Sequence, residues 1–280
     1  MGKVGIVTDS AGDLSIEQLK EKGIRVVPLK VRIDDKEYVD VTELNAATYW
    51  ELAQVSHELP QTSAPSIGEF EVAFQEMANE GTDCIFCITI SSELSATYQS
   101  AVAAAKKVAP HITVRVYDSR YVSLAEGFLA MKAAELADEG LSLENLEAEI
   151  KAYASKILVY GTLDTLENLK RGGRIGAAQA LLGSLLSFKP VIEVKDGLVL
   201  PESRQRTRSR ALDYLLDKVS QNGPYSWVGV MQAQAPETEE FVRQVALRSG
   251  LETVYLTTIG PIIGTHAGIR TVGLTLVKAE

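Results

Sequence analysis

Cysteine and histidine are scarce in this chain: 280 residues contain two of the first and three of the second. Two thiols cannot make a disulfide framework. Cys84 and Cys87 form a Cys-x-x-Cys, but both fall in a predicted strand, where positions three apart point to opposite faces. They are expected to serve as small apolar side chains. No further ligands at zinc spacing lie near them, and no metal site or cofactor is expected. Positive charge is also short. A net charge of −9 argues against a general binder of nucleic acid or of anionic membrane. No apolar run approaches the roughly 20 residues that cross a bilayer, so no stable membrane insertion is expected. The start, Met1 to Thr8, reads as a strand without signal-peptide architecture, which makes a cytoplasmic protein the default expectation. Several signatures are missing as well. There is no Gly-x-Gly-x-x-Gly after a strand, no P-loop lysine and no Gly-x-Ser-x-Gly elbow, so dinucleotide binding and a serine-hydrolase triad lack support.

What is present is a globular composition, 46% hydrophobic, long enough for one large or two ordinary domains. The N-terminal half alternates strand and helix patterns. Strands are expected at 4–8, 25–31, 84–90 and 114–117, and helices at 16–22, 46–55, 67–79, 97–108 and 124–138. Ser66-x-x-Glu69 is a capping box that opens the helix at Ile67. Repeated βα units imply a mostly parallel sheet covered on both faces.

A second pattern begins near Lys156, with a strand at 157–161, a helical run at 163–169 and the turn Arg171-Gly172-Gly173-Arg174. The segment 177–188 is apolar nearly all round and is expected as a helix buried on more than one side. Asp196-Gly197 is a hairpin signal between strands at 191–194 and 198–200. Helices at 206–218 and 237–249 and strands at 227–232, 253–259 and 271–277 complete an α+β half with an antiparallel component. The expected division is an N-terminal α/β domain over 1–160 and a C-terminal α+β domain over 161–280.

Chemistry concentrates at loop hydroxyls. The stretch Ile90 to Thr97 runs from a strand through Ser91, Ser92 and Ser95 into a helix. Such a junction can hold an anion at the helix N-terminus, or its serines can simply cap the helix. Thr8-Asp9-Ser10, Ser91-Ser92 and Asp118-Ser119 all sit at strand ends, the edge where parallel sheets gather ligands. Pro60 to Ser66 is a second hydroxyl loop, whose prolines favour extended geometry and present Thr62 and Ser63 outward. His266 lies between glycines in Gly260 to Gly268, after a strand. Hydroxyls and one imidazole beside an apolar segment can orient a carboxylate while leaving it chemically untouched.

Taken in order, Thr8-Asp9-Ser10, Thr62-Ser63-Ala64-Pro65-Ser66, Ile90 to Ala101, Asp118-Ser119, Leu166 to Ile175, Lys189-Pro190 and Gly260 to Gly268 resemble the DegV family nearly end to end. Members of that family act as fatty-acid-binding subunits of bacterial fatty acid kinase. The resemblance implies a two-domain α/β fold with one palmitate-like fatty acid buried between the domains. It implies a carrier for a separate kinase rather than an enzyme. It also implies that Thr62, Ser63, Ser95 and His266 hold the carboxylate. Ser10, Ser92, Ser119, Thr265 and Arg270 are possible supports, and Leu181, Leu182, Leu185, Leu186 and Phe188 are expected to line the tail tunnel. Two departures stand out: Ala96 replaces the family's usual glycine, and Ile269-Arg270 follows Gly268 where Pro-Gly is usual. Between residues 170 and 210, nine basic side chains face only Glu193, Asp196 and Glu202. This excess makes Arg204, Arg206 and Arg208 the expected kinase-docking face. A free-standing acyl hydrolase and a regulatory module for another small carboxylate remain the alternatives.

Overall fold

A computed structural model describes residues 2–181 and 188–279. Leu182, Leu185 and Leu186, expected in the tunnel wall, lie outside the described residues. In chain order the strands are β1 (Val4–Asp9), β2 (Ile24–Val27), β3 (Lys30–Ile33), β4 (Lys36–Val39), β5 (Gln61–Ser63), β6 (Cys84–Thr89), β7 (Thr113–Asp118), β8 (Ile157–Thr162), β9 (Lys189–Lys195), β10 (Leu198–Gln205), β11 (Tyr225–Gln232), β12 (Tyr255–Thr258) and β13 (Val272–Lys278). The helices are α1 (Ile16–Glu21), α2 (Ala46–Val55), α3 (Ile67–Asn79), α4 (Thr97–Val108), α5 (Leu124–Asp138), α6 (Leu143–Ala154), α7 (Glu167–Arg171), α8 (Arg208–Asn222), α9 (Thr238–Ser249) and α10 (Pro261–Ala267).

Three sheets result. A parallel sheet runs β2-β1-β6-β7, a mixed one β10-β9-β8-β13-β11-β12, and a small antiparallel one β4-β3-β5. Helices α3 and α4 cover one face of the parallel sheet, where Phe70, Phe74 and Ala101 pack on Val7, Ile85 and Cys87. Helices α8 and α9 cover the outer face of the mixed sheet through Leu215, Val219, Phe241 and Val245. Between the sheets lies α5, buried over most of its length, from Leu124 to Met131 without a break. Its Phe128 meets Trp227 of β11 and Tyr255 of β12 edge-on. Its Gly127 sits so close to the turn after β1 that an added Cβ would come within 2.6 Å of the Gly12 carbonyl. The mixed sheet starts at Ile157, and the C-terminal strand β13 lies inside it, between β8 and β11.

Several sequence expectations are revised. The run 25–31 is two strands in two sheets, broken at Pro28, which has no N–H for a ladder. The Thr62-Ser63 loop is the edge strand β5, paired to β3 through Val31↔Thr62 and Lys30↔Ser63. Gly260 to Gly268 holds the short helix α10, with Pro261 in its first turn. The described part of the apolar run is a 3-10 turn, Gly176–Leu181, and α6 was not anticipated. The hairpin at Asp196-Gly197 forms as expected, joining β9 to β10. The two cysteines are free, Cys87 buried and Cys84 half-buried.

Candidate functional site

Four chain segments converge between the sheets. β5 brings Thr62 and Ser63, the turn after β6 brings Leu94, Ser95 and Ala96, the turn after α7 brings Arg174, and α10 brings His266. Together they form the polar end of a cavity of about 170 Å³. Its walls are apolar: Leu29, Ile90 and Val122 from the N-terminal half, and Ile192, Val194 and Ile262 from the C-terminal half. A second, polar hollow adjoins it, lined by His57, Gln61, Arg171 and Gly172, and the two share Thr62, Arg174 and His266. The shared residues are therefore a partition with an apolar chamber on one side and a polar opening on the other.

The partition is held by specific contacts. Thr62 Oγ1 and His266 Nε2 are 2.9 Å apart. Burial, and secondarily the charge of Arg174, lowers the His266 pKa to about 4, so the imidazole is neutral at pH 7. Its Nδ1 is buried without a hydrogen-bond partner. An orphaned buried N–H is rarer in folded proteins than an orphaned acceptor. We therefore assign the ring proton to Nε2, which donates to Thr62 and frees the threonine hydroxyl to donate to an anion. Gly172 makes this approach possible, since a Cβ there would lie 2.3 Å from His266 Nδ1. Arg174 ties the halves together: its Nε donates to the Leu94 carbonyl at 3.0 Å and its Nη1 to that of Gly172 at 2.6 Å. The Ser95 hydroxyl lies 2.8 Å from Thr97 Oγ1 and accepts the Thr97 N–H at 3.3 Å, so it tethers the start of α4 while facing the cavity. Ala96 takes the N-cap position with φ −75°, a geometry open to alanine.

A sequence model described as "Uncharacterised protein, DegV family" matches residues 3–279. The chain belongs to the DegV family. A DegV domain-containing protein of Listeria innocua is 35% identical over 277 residues, covering 98% of each chain. Two solved structures share the fold. A fatty-acid-binding DegV family protein of Thermus thermophilus has a TM-score of 0.88 and 32% identity, with 99% of this chain and 100% of that one covered. DegV of Bacillus subtilis, described as a fatty acid binding protein, has a TM-score of 0.90 and 31% identity at the same coverage.

Of the residues this DegV-family chain was expected to bring together, Thr62, Ser63, Ser95 and His266 line the one cavity. The supporting set does not reach it. Ser10 accepts the Leu29 N–H at 3.0 Å. Ser92 is closed on Asp118 by its hydroxyl and its N–H, and Ser119 on the Tyr121 backbone. Thr265 donates to the Pro261 carbonyl and contacts the Tyr49 hydroxyl. Arg270 turns toward Glu237. Leu181 and Phe188 do not line the cavity; they pack in one cluster with the wall residues Leu163, Leu169 and Val199. The arginine row divides. Arg204 and Arg206 are exposed, whereas the Arg208 side chain is 12% exposed and paired with Glu237 at 3.4 Å. Arg208 opens α8, so it turns inward where a strand's alternation would have kept it beside Arg206. Sequence reasoning counted Arg174 only as a charge; the Arg-Gly-Gly-Arg turn was the available signal for its bridging place. The cavity walls carried no such signal, because they come from elements far apart in the chain.

Proposed function

We propose that the protein binds one long-chain fatty acid, tail in the apolar chamber and carboxylate at Thr62, Ser63, Ser95 and His266. The bound carboxylate is presented through the polar hollow to a separate fatty acid kinase, which phosphorylates it to the acyl phosphate. The protein acts as carrier rather than catalyst. The observation that carries the reading is the partition itself: hydroxyls and a neutral imidazole stand where an apolar chamber meets a polar opening. Relatives described as fatty acid binding proteins support it.

Magnitudes divide the labour. A tail with about 14 methylenes gains roughly 11 kcal/mol on full burial, before entropic costs. A hydrogen bond to the carboxylate adds about 1.5–3 kcal/mol. The tail sets affinity and the polar groups set which end faces out. Exposed Arg204 and Arg206 then serve as the kinase-docking face.

The test is to denature the purified protein, extract it with solvent and identify the released ligand by mass spectrometry. A long-chain fatty acid supports the reading, and a different carboxylate overturns it. Adding a fatty acid kinase and ATP should then convert the bound acid to acyl phosphate. Ester hydrolysis by the protein alone, abolished by Ser95→Ala, would instead make it an enzyme.

A further inference from the structure

The short helix that carries His266 is held from several directions. At its start the Gly260 N–H donates to Asp13 at 2.9 Å. Towards α2, the Tyr49 hydroxyl lies 3.1 Å from Thr265 Oγ1. Gly264 lets the Trp50 ring approach there, since a Cβ would come within 2.8 Å of it. At the end of α10 the Thr271 hydroxyl takes the carbonyls of Ala267 and Gly268, both at 2.9 Å. Towards α7 a single side chain crosses. Asn168 Nδ2 donates to the Thr265 carbonyl at 3.2 Å, among the described residues the one side-chain hydrogen bond between the two helices. An amide oxygen at that position would face another oxygen, so the nitrogen is the atom that fits. The same side chain packs on Gly268, where an added Cβ would lie 3.2 Å from Nδ2. The main chain of Asn168 takes part too: its carbonyl accepts the N–H of Gly172 at 2.9 Å, and Gly172 is the surface on which the imidazole rests.

We propose that Asn168 is a positioning residue for the fatty-acid carboxylate: it joins α7 to α10 so that the His266 imidazole rests on Gly172 with Nε2 turned to Thr62. The role rests on the proposed lipid function, because it concerns the groups that hold the carboxylate. One residue fixes both halves of the seat. Its main chain holds the surface under the ring, and its side chain holds the peptide unit that precedes the ring. The Thr265 carbonyl lies in the last turn of a helix, where carbonyls lack partners within the helix. Without the Asn168 amide that carbonyl is left unpaired, and turning it toward water relieves the cost. His266 is the next residue and moves with it. Its contact with Thr62 is 2.9 Å long, and such bonds extend to only about 3.2 Å, so a shift of a few tenths of an ångström weakens it. Thr62 then loses the donor that leaves its own hydroxyl free for an anion. The tail chamber is spared, because the wall residues Ile262 and Ile263 sit in the first turn of α10, beside the Asp13 anchor.

Asn168→Leu tests the role, since it keeps most of the side-chain volume and removes the donor. Two readouts are compared with wild type at neutral pH. The first is affinity for palmitate and for hexadecanol, which buries the same tail without a charge. Palmitate should bind about three- to tenfold more weakly to the variant, and hexadecanol should change by less than about twofold. In a His266→Ala background the substitution should cost palmitate less than about twofold, because the group it seats is gone. The second is nitrogen NMR of isotope-labelled histidine, with the His266 signals identified by their loss in His266→Gln. Wild type should show one tautomer, protonated at Nε2, and the variant a mixture of the two. Equal losses for palmitate and hexadecanol, an undiminished loss in the His266→Ala background, or imidazole signals unchanged from wild type overturn the role. If Asn168→Leu does not fold, Asn168→Ala is used with the same criteria. Failure of wild type to bind palmitate would instead overturn the lipid function, and the imidazole signals would still decide whether Asn168 seats His266.

Discussion

Replacing Gly172 by alanine presses one methyl group onto His266 and changes little else. The glycine has φ −72° and ψ −9°, so alanine fits its backbone without strain. The added Cβ would lie 2.3 Å from His266 Nδ1, 2.9 Å from Cε1 and 3.1 Å from the Asn168 carbonyl. The imidazole must then shift, at an overpacking cost of about 1–3 kcal/mol, or rotate and break its 2.9 Å contact with Thr62, worth about 0.5–1.5 kcal/mol. Either outcome disorganises the donor set for the carboxylate but leaves the tail chamber whole. Fatty-acid affinity should fall by about 1–2 kcal/mol, roughly 5–30-fold, measured by calorimetric titration at neutral pH. A long-chain alcohol, which buries the same tail and carries no charge, should lose much less. In a His266→Ala background the same substitution should cost almost nothing, because the atom it collides with is gone. Equal losses in both backgrounds, or an equal loss for the alcohol, would refute the claim that Gly172 acts by seating His266.

Three further outcomes are expected. Ser95→Ala should weaken fatty-acid binding by about 1.5–3 kcal/mol and loosen the start of α4 by about 1 kcal/mol, yet lipid should still co-purify; complete loss of bound lipid would contradict the dominance of the tail. Because burial lowers His266 to about 4, its neutral form favours the fold. That contribution, on the order of 3 kcal/mol, is complete above about pH 6.5 and is lost as pH falls toward 4. Denaturant unfolding of His266→Gln across this acid range should show a correspondingly shallower decline. Arg204→Glu/Arg206→Glu should abolish phosphorylation by the kinase while sparing lipid binding, as a comparison of the two assays would reveal; loss of both would remove the separate docking face. Arg208 is unsuited to that test because its side chain is largely buried against Glu237.

Much of the fold was legible. The run 124–138 was expected as a helix, and α5 is that helix, lying between the sheets. Asp196-Gly197 announced the β9–β10 hairpin, with Gly197 at φ +81°. Less legible were segments whose form depends on distant partners. β5 is three residues long and exists because β3 offers it an edge. The loop around His266 is helical because it closes against its surroundings: Trp50 donates to the Ile259 carbonyl, and Asp13 accepts the Gly260 N–H. No local pattern encodes such contacts across more than 200 residues.

By itself the sequence determined the chemistry available: loop hydroxyls, one glycine-framed imidazole, little metal-binding or redox capacity, and apolar runs of the right period for two kinds of sheet. The tertiary structure alone decided which of those groups share a site. Ser92, Ser95 and Ser119 have the same hydroxyl, yet Ser92 turns to Asp118, Ser119 to the Tyr121 backbone, and only Ser95 of the three lines the cavity. Periodicity is set within a few residues and so is written locally. The partner a hydroxyl finds depends on how three sheets pack around α5, and that is decided only when the whole chain has folded.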